Sequence, residues 1–228
     1  MEPLDSQQMH IPHAYEMDSR QVRSFVVKNP FGHLITESLS GLRVTATPFI
    51  FETDADLEMT LVGHIAGRNR QALEMSENMK AVALLTGPDA YVSPRWYRVK
   101  PDLPTWNYVA VQIRGVLIPV DDLKERQNIL ARTITCMERG RAEPWSMDEA
   151  TSGHVERLLP HIRAFRLRIE RMEGARKLSQ NKPLEERLNV IGGLQQTGEA
   201  GALCIASLMQ RDAEREKAET MEATHANR

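Results

Sequence analysis

The stretch Gly87-Pro-Asp-Ala-Tyr-Val-Ser-Pro-Arg-Trp-Tyr97, followed by Leu103-Pro-Thr-Trp-Asn-Tyr-Val-Ala-Val111, decides how this chain is read. It holds five of the chain's seven Trp and Tyr residues, although Phe, Trp and Tyr together make up only 5% of the composition. Pro88, Pro94, Pro101 and Pro104 punctuate it, each fixing φ and removing a backbone donor, so no long helix runs through it. The pattern predicts a stiffened loop carrying rigid aromatic bodies with polar tips. Such bodies suit a wall around a flat ligand, and they equally suit the plug of a core or of a seam between subunits.

Working outward, Asp18 is placed to cap a helix over 19–28, with Val22, Phe25 and Val26 on one face. Short β-like segments follow at 32–37, 43–52, 58–64 and 80–86, and the longest covers 108–120. There Val109, Val111 and Ile113 alternate against Ala110, Gln112 and Arg114. This density of strands predicts a barrel or sandwich rather than a βαβ sheet. Asp121 and Asp122 open the clearest helix, which ends near Gly140, and a shorter one is expected over 146–159. A strand over 163–172 stops at the turn signal Glu173-Gly174. Pro183 opens a helix that breaks at Gly192-Gly193, and a last apolar helix spans about 199–210.

Composition narrows the class. An apolar fraction of 41% and a charged fraction of 26% are ordinary for a globular chain of 228 residues. No apolar run approaches the roughly 20 residues of a membrane span, and the N-terminus lacks the pattern of a secretory signal. Cys136 and Cys204 lie in apolar surroundings without a Cys or His at metal-ligand spacing, which suits packing residues of a reduced compartment. The expected location is cytoplasmic. A formal charge of −2 withholds the basic footprint of a nucleic-acid binder. Dinucleotide and Walker-type phosphate loops, the Gly-x-Ser-x-Gly elbow and the His-Glu-x-x-His motif are all missing, so hydrolase and classical dehydrogenase readings have no support.

Three constellations carry chemistry. Gly63-His64-Ile-Ala-Gly67-Arg68-Asn69-Arg70 follows a predicted strand, and such a turn offers backbone N–H groups and guanidinium groups to a phosphate. His64 could meet a phosphate or a flavin edge, or ligate an iron; the same segment also reads as a capped strand–helix junction. Lys177-Leu-Ser-Gln-Asn181 brings cationic and neutral donors together and suits an anionic ligand end, or forms a polar loop in which Asn181 caps the next helix. The segment 184–210 imitates a helix-turn-helix. Its second helix, however, offers Ala200, Leu203, Cys204, Ile205, Leu208 and Met209, and no Lys or Arg before Arg211. It is expected to be buried rather than to read DNA.

In this order, these pieces resemble the PaiB family, FMN-binding negative transcriptional regulators. Residues Pro12 to Tyr15, Phe31-Gly-His-Leu-Ile-Thr36, Gly63-His64-x-Ala66-x-x-Asn69, the two aromatic stretches and Gly174-x-x-Lys177-Leu-Ser-Gln-Asn181 carry the resemblance along nearly the whole chain. It implies an α+β fold, an FMN-binding split β-barrel with flanking helices, assembled as a homodimer with two cofactors in clefts between subunits. Residues 1–180, with helices at about 121–159, would form the cofactor domain, 181–210 a helical addition and 211–228 a disordered tail. His64, Arg68, Lys177 and Gln180 would surround the phosphate end of FMN, with Trp96, Tyr97 and Trp106 near the ring. Asn69, Ser93, Asn107 and Asn181 complete the implied cofactor-binding set. The chain departs from the family's central motif, His-x-Ala-Arg-x-Asn-Pro: Gly67 stands where Arg is usual and Arg70 replaces Pro, leaving Arg68 as the substitute.

The same resemblance extends to haem-dependent piperazate synthases, enzymes that close an N–N bond in an N-hydroxylated amine. In that reading haem b is bound, His64 is the leading axial ligand and His33 the second candidate, and Arg68 or Lys177 pairs with propionates. A third reading is a cofactor-free interaction protein with a decayed pocket. DNA contact, if any, is expected to be indirect.

Overall fold

The computed structural model describes residues 9–53, 59–99, 103–151 and 153–226. Its seven strands form one antiparallel sheet in the order β2-β1-β5-β6-β7-β4-β3. The strands are β1 (Phe31–Ser38), β2 (Gly41–Pro48), β3 (Ile50–Thr53), β4 (Met59–Ala66), β5 (Met79–Val92), β6 (Thr105–Val120) and β7 (Ile162–Lys177). Helices α1 (Ser19–Lys28), α2 (Arg70–Glu74), α3 (Leu123–Glu138), α4 (His154–Leu158), α5 (Leu184–Thr197) and α6 (Ala200–Ala226) flank it. The chain divides into two compact units. A strand-rich unit takes Asp18–Thr86 and Val111–Glu173, and a helical unit takes the described residues up to Met17, Gly87–Ala110 and those from Gly174 onward.

In the strand-rich unit, α1 begins where the sequence places it. Asp18 Oδ1 accepts from Gln21 N at 2.8 Å while Asp18 N donates to Gln21 Oε1 at 2.9 Å, a reciprocal capping box. Val22 and Val26 are fully buried beneath it. The segment expected as one strand over 43–52 is two, β2 and β3. A cluster of Ile50, Val62, Val120, Ile129 and Ala164 packs β3, β4, β6, α3 and β7 together. Beside it Phe49 meets Phe165 edge to face at 6.1 Å. The helix expected over 146–159 is interrupted: two short 3-10 turns bracket the five-residue α4, which starts after Gly153 at a φ of +69°.

The helical unit corrects five expectations. The aromatic stretch is mostly strand rather than loop, because β5 continues through Gly87-Pro88 to Val92 and β6 begins at Thr105, with a 3-10 turn at Pro94–Trp96. Strand β7 passes through Glu173-Gly174 to Lys177, held by the Glu16–Ala175 bridge and by Met17 N donating to Gly174 O at 2.9 Å. Asn181 does not cap α5, whose N-cap is Pro183. Helix α5 does not break at Gly192-Gly193 either; it ends at Gly198, whose φ of +70° is the left-handed C-cap that glycine accepts without strain.

The reason is packing. A β-carbon on Gly193 would lie 2.3 Å from the Trp96 ring, so the glycine marks the place where that ring docks. Val92, Tyr97, Leu178, Val190, Leu194, Ile205, Ala206 and Met209 close the core around it. Glu186 is buried and accepts from the backbone N–H groups of Arg98 and Val99, fixing the segment after the 3-10 turn to α5.

Helix α6 continues to Ala226 instead of dissolving after Gln210. Asp212 takes both Arg176 guanidinium nitrogens, Glu216 pairs with Arg187, and Ala213 is buried, so the segment has tertiary partners that its charged sequence conceals.

Paired substitutions in α5 test this account. Gly192 has nothing within 4 Å of its would-be β-carbon, so Gly192→Ala is expected to stabilise by up to about 1 kcal/mol through helix propensity. Gly193→Ala is expected to destabilise by about 1–3 kcal/mol through overpacking against Trp96. Denaturant midpoints that move in the same direction for both would contradict the docking role of Trp96.

Candidate functional site

In the strand-rich unit the central motif forms the end of β4 and the turn into α2. His64 opposes Ala164 on β7, and its carbonyl accepts from Thr47 Oγ1 at 2.6 Å. The ring is mostly buried, and Nδ1 is enclosed with no hydrogen-bond partner. Burial disfavours the imidazolium and holds the pKa below the ordinary histidine value. Gly67 N donates to His161 O at 2.7 Å, and a β-carbon on Gly67 would sit 3.2 Å from that same oxygen. The position is therefore cramped, which suits the glycine found where the family usually has arginine.

Asn69 is committed to structure. Its side chain accepts from Gln71 N and donates to Thr45 Oγ1, both at 2.9 Å. Arg70 is committed too, since its Nε lies 2.9 Å from Glu74 Oε1. Arg70, Ser38 and Arg43 hydrogen-bond the Glu74 carboxylate and hold its pKa down to about 2. Arg68 is exposed and has no partner among the described residues. His33 lies exposed on β1.

In the helical unit, several residues of the expected cofactor-binding set are used internally. Trp96 packs on Gly193, and Ser93 Oγ accepts from Arg95 N to cap the 3-10 turn. Asn107 is fully buried, exchanging hydrogen bonds with Ser179 Oγ at 3.0 and 3.2 Å. Gln180 closes its own turn: its Oε1 accepts from Leu178 N at 2.6 Å and its Nε2 donates to Arg176 O at 2.5 Å. Trp106 is exposed and meets Tyr91 edge to face at 6.1 Å.

What the helical unit does assemble is a cleft of about 230 Å³ lined by Tyr15, Tyr97, Thr105, Lys177, Asn181 and Lys182, among others. Lys177 Nζ donates to Thr105 Oγ1 at 2.6 Å and lies 6.0 Å from the Tyr15 ring centre; Lys182 Nζ lies 5.0 Å from that of Tyr97. The turn that presents the two lysines has Ser179 at a φ of +60°, an uncommon conformation for a side chain-bearing residue, and the kind of strain that collects at ligand sites. Lys177, Tyr97 and Asn181 of the predicted set meet here, joined by Tyr15, Thr105 and Lys182. Of these additions, Tyr15 and Thr105 lie inside stretches quoted for the family resemblance, and Lys182 directly follows one.

No group of three or more His, Cys, Asp or Glu residues suited to a metal ion occurs among the described residues. No helix among them is long and apolar enough to cross a membrane.

Comparison with known proteins places the chain. The family described as "Putative FMN-binding domain" matches residues 9–171. The protease synthase and sporulation protein PAI 2 of Bacillus subtilis is 30% identical over 205 residues, covering 89% of this chain and 97% of that protein. Among solved structures, the flavocytochrome Anf3 from Azotobacter vinelandii superposes with a TM-score of 0.52 at 16% identity, over 76% of this chain and 74% of that one. The FAD and haem binding protein from Mycobacterium smegmatis gives 0.52 at 15% identity, over 75% and 77%. These likenesses bear out the α+β fold, a split β-barrel with flanking helices.

The depressed pKa of His64 has a definite sign. A neutral buried imidazole opposes protonation, so the native state loses stability as pH falls below 6.5 toward the folded pKa. Nitrogen-detected NMR of the ligand-free protein is expected to show His64 still mainly neutral at pH 6.5. An imidazolium in the majority at that pH would contradict the burial argument.

Proposed function

Because this chain belongs to the PaiB family, we propose that it is a homodimeric FMN-binding protein in which His64 and Arg68 take the phosphate end of the flavin. The observation that carries this reading is the leftover donor set of the central motif. Asn69 and Arg70 are bound to their own neighbours, whereas, among the described residues, His64 Nδ1 is buried without a partner and the Arg68 guanidinium has none. An enclosed ring nitrogen and an unpaired guanidinium fit an oxyanion, and Arg68 supplies the charge that Gly67 lacks. Bound flavin supplies hydride and electron transfer, while the protein binds and orients it.

An exposed apolar row supports the dimer. Phe31, Leu42 and Val44 stand more than half exposed on β1 and β2, with Ile35 opposite Val44 in register. The regulatory role follows ligand occupancy, not base reading, because Ala202, Ile205, Ala206 and Met209 of α6 are packed in the core.

The same histidine favours a second reading. A neutral imidazole with a free nitrogen is what an axial iron ligand requires, so haem b is the alternative occupant.

Titration of the purified protein with FMN, riboflavin and haemin tests both. Arg68→Gln is expected to weaken FMN by about 10–100-fold, the value of a lost charged hydrogen bond of about 1.5–3 kcal/mol. Riboflavin, which has no phosphate, is expected to be unaffected, and unchanged FMN affinity in that variant would remove the phosphate assignment. A Soret band that disappears in His64→Ala supports haem; one that survives excludes His64 as the ligand. Val44→Glu is expected to yield monomers in sedimentation.

A further inference from the structure

We infer that the cleft of the helical unit is a binding site for a small oxyanion, a carboxylate or phosphate group on a compact metabolite, distinct from the flavin's own phosphate. The inference does not rest on the flavin reading. It rests on which charges and donors the cleft leaves unsatisfied.

None of the described residues lining the cleft is acidic, and Lys177 is the cation on which the inference rests. Lys177 donates to a neutral hydroxyl, Thr105 Oγ1, and no carboxylate among the described residues pairs with it. Its charge is therefore held in place, half-buried, without an anion. Accepting from an ammonium group leaves the Thr105 hydroxyl its own proton to donate, and no acceptor among the described residues takes it. The Asn181 side chain is exposed and makes no hydrogen bond among the described residues. An ammonium, a hydroxyl and an amide thus face one space as donors. Carboxylates and phosphates are the groups that accept from such a set.

Size and the state of the aromatic rings argue against the flavin. At about 230 Å³ the cleft falls below the roughly 300–1,000 Å³ usual for larger ligands. Its two tyrosines are already engaged by ammonium groups, Tyr15 by Lys177 at 6.0 Å and Tyr97 by Lys182 at 5.0 Å. Each ring thus has one face taken by a cation. The cleft is also built rather than incidental: the turn carrying Lys177 and Lys182 is closed by both ends of the Gln180 amide, and Ser179, at a φ of +60°, is anchored to buried Asn107.

The test is calorimetric titration of the full chain with inorganic phosphate and with succinate, at constant ionic strength set by chloride. Wild-type protein is expected to bind one or both, and whichever binds more tightly names the source of the oxyanion. Lys177→Gln is expected to weaken that binding at least tenfold. Asn181→Ala, an exposed change that leaves folding intact, is expected to weaken it several-fold. No binding of either probe to wild type, or equal binding to the Lys177→Gln and Asn181→Ala variants, overturns the inference. It is also overturned if Lys177→Gln lowers the affinity for FMN while sparing riboflavin, because the cleft then belongs to the cofactor's phosphate. Failure of the flavin reading is seen separately, as absent FMN binding or an inert Arg68→Gln variant.

Discussion

The contact between Trp96 and Gly193 governs the helical unit. The indole occupies the volume where a side chain of α5 would stand, with ring atoms 2.3–2.5 Å from a would-be β-carbon. That contact seats α5, and α6 folds back on it through the left-handed turn at Gly198. Close packing at this density tolerates little change of volume. One consequence is chemical: the Trp96 indole, expected beside a flat ligand, is spent on packing against α5. Tyr97 is likewise in the core, which leaves Trp106 as the exposed ring of the expected three.

How much of this was legible depends on the range of the interaction. The capping box at Asp18 and Gln21 is a local pattern, and α1 occupies the predicted span. The long alternation in β6 was equally plain, because a period of two needs no partner to be seen. Glycines misled at long range. Gly192-Gly193 and Glu173-Gly174 look like breaks when only neighbours are weighed, yet one admits Trp96 and the other lies within a strand paired through Ala175. The end of α6 was illegible for a related reason. Its stabilising partners, Arg176 and Arg187, lie 36 and 29 residues away in sequence.

The candidate sites show the same divide. Residue types announced donors for an anion at 63–70 and at 177–181, and both segments keep unpaired donors. The sequence could not say which of them the fold itself consumes. Gln180, Asn107, Asn69 and Arg70 are bound to their neighbours, whereas Lys177 and Arg68 have no carboxylate partner among the described residues. Lys177 meets Thr105 across 72 residues of sequence, a pairing no motif reveals.

The departures at Gly67 and Arg70 are best understood together. Gly67 fits a position where a β-carbon would press within 3.2 Å of the His161 carbonyl, and Arg70 is absorbed by Glu74, which already holds Arg43. With its pKa near 2, Glu74 stays ionised at any ordinary pH and keeps both arginines engaged. The substitution of Pro by Arg thus adds a cation to the turn without adding one to the site. The cation of this turn that no described residue engages is Arg68. His64, on β4 before that turn, has a mostly buried ring whose pKa burial lowers and an Nδ1 unpartnered among the described residues. The two cofactor readings therefore share one imidazole, and Arg68 distinguishes them less by its presence than by whether the group it meets is a phosphate or a propionate.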